Sequence, residues 1–139
     1  MKDTLTPGLT HTMHYQVPAE RTVPNLLPEA PEFTVMPQVL ATGYMVGIIE
    51  WACMQAVQSH LDDGEVSLGT HVDLSHDAPT TPGSTVTIQV TLTGVEGRAL
   101  SFDVEARDEH ATISTGTHQR GVVNKERFEG KLAGREAKQ

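Results

Sequence analysis

Between Pro37 and His60 the chain reads PQVLATGYMVGIIEWACMQAVQSH, and Glu50 is the only formally charged side chain in it. An ionised carboxylate in apolar surroundings is costly unless a partner compensates it or its pKa rises until it partly neutralises. Glu50 is therefore either held by a specific partner or tuned for chemistry. Gly43, Gly47 and Glu50 follow an i, i+4, i+7 spacing and share one helical face. Two readings of that face stand side by side. The glycines let another element pack close, or a ligand lies along bare backbone and meets the carboxylate.

His76 is the second residue with chemical potential. Counting by two from Leu68 through Thr70, Val72 and Leu74 puts it at the last inward position of a strand, with His71, Asp73 and Ser75 on the opposite face. An inward histidine can be a satisfied core residue. Facing Glu50, it could instead complete a general-base pair in a dry site. Thr42 stands near the helix start, where a hydroxyl either caps exposed N–H groups or donates to a reacting oxygen. The same helix start offers unpaired N–H groups and a positive dipole end to a carbonyl oxygen on which negative charge builds. Cys53 reads as inert packing in an apolar helix, with a nucleophile as the alternative. No metal site is expected: His11 and His14 lie in a strand without a carboxylate cluster. There is no phosphate loop, nucleophile elbow or dinucleotide fingerprint.

These residues need a frame. The run from about Leu40 to His60 is apolar around the whole helical wheel, which predicts a buried helix, stopped at Asp62-Asp63-Gly64. Glu50 at its centre, Gln55 and Gln58 after it, and the strands that follow argue against a membrane span. Before it, His11–Val17 reads as a strand, and Arg21–Pro24 as a short extended piece. Asn25–Pro37 reads as a loop or single turn, because Pro28, Pro31 and Pro37 forbid a helix interior. That loop carries Leu26, Leu27, Phe33, Val35 and Met36, so it either plugs one end of the core or covers a pocket as a lid. After the helix, four alternating segments follow: Ser67–His76, Ser84–Val95, Arg98–Arg107 and Ala111–Val123. A tight turn is expected at Glu96-Gly97. Short turns between alternating strands make an antiparallel sheet with one covered face. The expected fold is α+β: one long central helix wrapped by a curved antiparallel β-sheet, the hot-dog architecture.

The 139 residues suffice for one domain, 1–139. The net charge of −8 excludes non-specific nucleic-acid binding, which needs a basic surface. MKDTLTPGLT lacks an apolar signal core, and the single Cys53 cannot form an internal disulfide; both make a cytoplasmic location the default expectation. Five of the ten basic residues (Lys125, Arg127, Lys131, Arg135, Lys138) crowd the last fifteen positions. Residues from about 124 to 139 therefore read as a flexible, solvated basic tail, with attraction of an anionic ligand as the other reading.

The segments ATGYMVGIIEWAC, SLGTHVDLSHDAPTTPGSTVTI, VEGRALSFDVEARD and STGTHQR resemble the fluoroacetyl-CoA thioesterase family of hot-dog proteins, from about Val17 to Phe128. The resemblance implies a catalytic trio at Thr42, Glu50 and His76, and substrate contacts at Val23, Gly69 and Arg120, with Arg120 offering its charge to the CoA part. It implies hydrolysis of a small acyl-CoA by a homodimer, with no metal or redox cofactor and no nucleic-acid or membrane partner. In the lid, the family's fluoroacetyl-selective enzyme carries two phenylalanines; here Phe33 and Met36 stand at those places. Methionine is more flexible and less shape-specific than phenylalanine, so the resemblance carries the general thioesterase activity rather than fluorine selectivity. Two alternatives remain open on the residues: a hot-dog enoyl-CoA hydratase, with a weak His-x-Asp echo in His71 and Asp73, and a non-catalytic acyl-CoA binding module.

Overall fold

The alternation between Thr85 and Arg107 becomes a β-hairpin. In the computed structural model, which describes residues 1–137, strand β3 (Thr85–Glu96) turns at Gly97 into β4 (Ala99–Arg107). Gly97 sits at φ +59, the left-handed conformation a tight turn needs; the turn falls one residue later than Glu96-Gly97. Strands β1 (Thr10–Gln16), β2 (Glu65–Leu74) and β5 (Thr112–Asn124) complete a five-stranded antiparallel sheet in the order β1-β3-β4-β5-β2. Val86, Ile88, Val90 and Leu92 of β3 and Leu100, Phe102, Val104 and Ala106 of β4 all face the buried side, as their alternation predicts. Each larger one contributes roughly 1.5–3 kcal/mol of burial.

Helix α2 (Thr42–Val57) lies on that side and continues as a 3-10 turn over Gln58–His60. Its buried residues Met45, Ile48, Ile49, Ala52, Cys53, Ala56 and Val57 form one stripe against the sheet. The expectation of a helix buried all round fails within the single chain. Trp51 is 50% and Met54 39% exposed, and Trp51 stands T-shaped to the Tyr15 ring with 6.4 Å between centroids. The sheet can cover one face only, so the opposite apolar face is left open.

Ahead of α2, the Arg21–Pro24 piece is not extended. Two 3-10 turns, Ala19–Arg21 and Val23–Asn25, flank Thr22, which bridges to Leu40. The Asn25–Pro37 loop contains a single helical turn, α1 (Pro31–Thr34). At the other end, the segment expected to be a frayed tail is helix α3 (Lys125–Ala137), capped by Asn124 Oδ1 accepting from the Arg127 N–H at 2.9 Å. It is largely solvated, and Lys138 lies outside the described residues. Among the described residues no helix is long and apolar enough to cross a membrane.

Strand β2 departs from simple alternation. Its ladder with β5 shifts between Gly69 and His71, leaving Thr70 as the extra residue of a β-bulge. The bulge reverses the faces before it. Ser67 and Gly69 point toward the helix, while Leu68, 41% exposed, and Thr70, against Gly121, point away. Beyond it Val72 and Leu74 occupy the inward face. The strand stops at Leu74, so His76 lies beyond it rather than at its end.

That exit is clamped by Gly116, which sits directly opposite Leu74 at φ +151. A Cβ there would collide with the backbone carbonyl of Asp73. Gly116→Ala is expected to destabilise the protein by at least about 2 kcal/mol, from strain and forced separation of the strands. Urea unfolding checks this; an unchanged midpoint would contradict the clamp.

Candidate active site

Glu50 has its partner. At the middle of α2 its Oε2 accepts a hydrogen bond from Arg120 Nη1 at 2.8 Å. Arg120 is 3% exposed, on the inward face of β5. A guanidinium so buried must be paired and bonded, and this one is. Its Nε donates to Ser67 Oγ and its Nη2 to the Ser67 carbonyl, both at 2.8 Å. The remaining contact of Nη1 is to His118 Nε2 at 3.1 Å. The charge expected to meet the CoA part is thus spent inside the protein, holding Glu50 and the start of β2.

Gly69 belongs to the same cluster by what it lacks. A Cβ at Gly69 would stand 2.6 Å from Glu50 Oε2. The bulge at Thr70 is what turns Gly69 toward the carboxylate, so strand irregularity and missing side chain together make room for Glu50. Its other oxygen, Oε1, makes no hydrogen bond among the described residues, and the Glu50 side chain is 35% exposed. The result is a carboxylate anchored by one oxygen and presenting the other.

Thr42 and His76 form a second cluster. Thr42 is the first residue of α2, and the side chain does not cap it. Its Oγ1 instead lies 2.7 Å from His76 Nδ1. Backbone bonds bring these residues together. Leu40 N–H donates to the Thr80 carbonyl at 2.8 Å, docking the segment after β2 on the helix start. The N–H groups of Ser75 and Asp77 donate to the carbonyls of Thr115 and Ile113, at 3.0 and 2.7 Å, and so fix His76 between them. Burial lowers the His76 pKa from its ordinary value, with Asp77 opposing, so the neutral ring is favoured. His76 Nε2 is shielded from solvent and has no partner among the described residues. A buried polar atom left unpaired is costly, and marks a place where another group can bond. Val23 joins Thr42 and His76 in lining a cleft of about 260 Å³.

The clusters do not meet within one chain. Thr42 and Glu50 stand eight positions apart on a regular helix, a rise of ~12 Å. Among the other expected contacts, Phe33 is half-buried on α1 and Met36 is 48% exposed beyond it; neither lines the Thr42–His76 cleft. Cys53 is buried beneath Glu50's turn, and burial pushes its thiol up to about 12, so it is uncharged packing. His118 and Ser67 join the site as residues outside the sequence-based expectation. The signal was present: counting by two back from Val122 places Arg120 and His118 on the inward face of β5.

Gly69→Ala tests the carboxylate's seat. The variant should fold, because the atom it meets ends a movable side chain, and yet displace Oε2 from Arg120. A loss of turnover of about 10²-fold, as for ångström-scale misplacement of a reacting group, is the expected outcome. Wild-type turnover in a folded Gly69→Ala protein would show that the seat does not matter.

The chain is similar to known proteins along nearly its whole length. Residues 20–126 match the model of the family described as fluoroacetyl-CoA-specific thioesterase. The chain is 47% identical over 132 residues to the fluoroacetyl-CoA thioesterase of Streptantibioticus cattleyicolor, covering 95% of each chain. A solved variant of the fluoroacetyl-CoA-specific thioesterase superposes with a TM-score of 0.93 at 46% identity, over 96% of this chain and 99% of that one. A structure of that enzyme's variant with fluoroacetate and CoA gives 0.87 at 47% identity, over 89% and 99%. A thioesterase superfamily member from Thermus thermophilus shares the fold at a TM-score of 0.85 and 24% identity, over 98% and 96%. With the family model spanning most of the chain and a relative this similar along nearly its whole length, the chain belongs to the fluoroacetyl-CoA-specific thioesterase family.

Proposed function

We propose that the protein hydrolyses a short acyl-CoA, fluoroacetyl-CoA among the candidates, to the free acid and CoA, and does so as a homodimer whose sites each draw on both subunits. The observation that carries the reading is Glu50. A carboxylate fixed through Oε2 and free at Oε1 is prepared to take a proton from water or to attack a thioester carbonyl itself. In the first route water loses its proton to Glu50, the hydroxide adds to the carbonyl carbon, the C–S bond breaks, and the CoA thiolate regains a proton. In the second, Glu50 Oε1 attacks the carbonyl carbon, the C–S bond breaks and the CoA thiolate leaves and takes up a proton. Water then opens the resulting anhydride to the free acid and restores Glu50. His76, neutral and with Nε2 unpaired, supplies the proton path, and Thr42 offers its hydroxyl to the reacting oxygen or to Glu50.

Three features support the dimer. Helix α2 exposes Trp51 and Met54 on the face away from the sheet. Strand β2 pairs with β5 alone, so its other backbone edge is open along ten residues, with Val72 45% exposed beside it; long open edges invite pairing. Finally, Thr42 and Glu50 are too far apart on one regular helix to serve one reaction centre, whereas two copies related by a two-fold axis could exchange them. The exposed lid residues Val35 and Met36 suit a cover that closes over a bound acyl group.

Thiol release from acetyl-, fluoroacetyl- and longer acyl-CoAs tests the activity, and Glu50→Gln tests its source. Glutamine still accepts from Arg120, so the variant should fold while losing at least about 10²-fold in turnover, the scale of general-base catalysis. Near-normal turnover in the folded variant removes Glu50 from the mechanism. Hydration of an enoyl-CoA without thiol release would identify a hydratase, and binding without turnover a binding module.

A further inference from the structure

His118 is fully buried on β5, its ring stacked on Phe102 with 6.4 Å between centroids. The two ring nitrogens have partners of opposite kind. Nδ1 lies 2.7 Å from the His71 carbonyl oxygen, which can only accept, so Nδ1 carries the hydrogen. Nε2 lies 3.1 Å from Arg120 Nη1, which can only donate, so Nε2 carries the lone pair. The ring is therefore neutral and in one tautomer. That lone pair takes one of the two hydrogens on Nη1. The other, about 120° away in the guanidinium plane, points at Glu50 Oε2. Ser67 fixes the far side of the guanidinium through Nε and Nη2.

We infer that His118 is a positioning residue for Glu50: as an acceptor it orients the Nη1 donor of Arg120 and so sets where the Glu50 carboxylate stands. This rests on the reading of Glu50 as the working carboxylate. A protonated His118 would turn an N–H against the Nη1 hydrogens and push the guanidinium off its mark. The groups facing the ring are Arg120 from its own strand, Glu50 from α2 and His71 from β2; Phe102 from β4 does not titrate. Burial chiefly, helped by Arg120, holds His118 below the ordinary histidine range, against the pull of the His71 carbonyl and of Glu50.

Two substitutions divide the imidazole's roles. His118→Gln places an amide oxygen near the Nε2 position and keeps the acceptor for Arg120. His118→Asn keeps only a donor for the His71 carbonyl. The measurements are kcat and KM for thiol release by the full-length protein, fold by circular dichroism, and the wild-type ring tautomer at pH 7 by 15N-detected imidazole NMR. The expected result is a kcat loss of about tenfold or more in His118→Asn with KM within about twofold, and kcat within about threefold in His118→Gln, the pattern of lost orientation rather than lost binding. Equal kcat losses in the two folded variants, or wild-type kcat in His118→Asn, would overturn the inference alone. A wild type that releases no thiol overturns the hydrolase reading and this inference with it. Should both variants unfold, the wild-type ring decides: a neutral Nδ1–H ring supports the inference, and an Nε2–H ring or an imidazolium overturns it.

Discussion

The ion pair between Glu50 and Arg120 is the constraint on which the rest of this structure turns. Arg120 is 3% exposed, and a charge so buried costs several kcal/mol unless bonded on all sides. A hydrophobic pair of similar volume would often be at least as stable, so stability alone does not account for keeping two charges there. The surrounding sequence bends to the pair. Gly69 leaves out a side chain to admit the carboxylate, and the bulge at Thr70 turns Gly69 inward. Ser67 gives up both its hydroxyl and its carbonyl to the guanidinium, and His118 gives its lone pair. Four departures from an ideal β-sheet core thus have one cause.

The same view explains why α2 is so apolar. One face of it packs on the sheet, while Trp51 and Met54 on the other are 50% and 39% exposed. Under the proposed dimer, that second face and the open edge of β2 become interface, and the two polar clusters of each chain are shared out between two sites. In that proposal the anchored carboxylate of one subunit faces the unpaired imidazole nitrogen of the other. Such a division places the reactive groups on separate rigid elements, each held by its own hydrogen bonds before substrate arrives.

Much of this was legible in the residues. Strict alternation over Val86–Leu92 and Leu100–Ala106 gave strands, faces and core because both strands pack one face on α2. Glu50 stood out as a lone charge in an apolar run, and the demand for a partner was met. What pattern reading misplaced has physical reasons. The bulge at Thr70 inverted the faces of Ser67–Thr70, and period-two counting cannot see an inserted residue. The resemblance gives the Arg120 charge to the CoA part, and pattern reading does not show it buried, because its partners Ser67 on β2 and Glu50 on α2 are distant in sequence. The last basic segment read as a tail, whereas Asn124 caps a helix whose exposed faces hide it from hydrophobic periodicity. The helix called buried was buried on one side, since a wheel shows apolarity and not which chain covers it.

In the proposed dimer Thr42 and Glu50 work on one substrate from different subunits. Subunit mixing tests it most directly. Thr42→Ala and Glu50→Gln homodimers, each nearly inactive, are unfolded together and refolded as a mixture. Half of the resulting dimers are heterodimers, each with one of two sites restored, so activity should rise to roughly a quarter of wild type. Verified heterodimers that show no recovery would contradict the shared site and return both residues to a single chain.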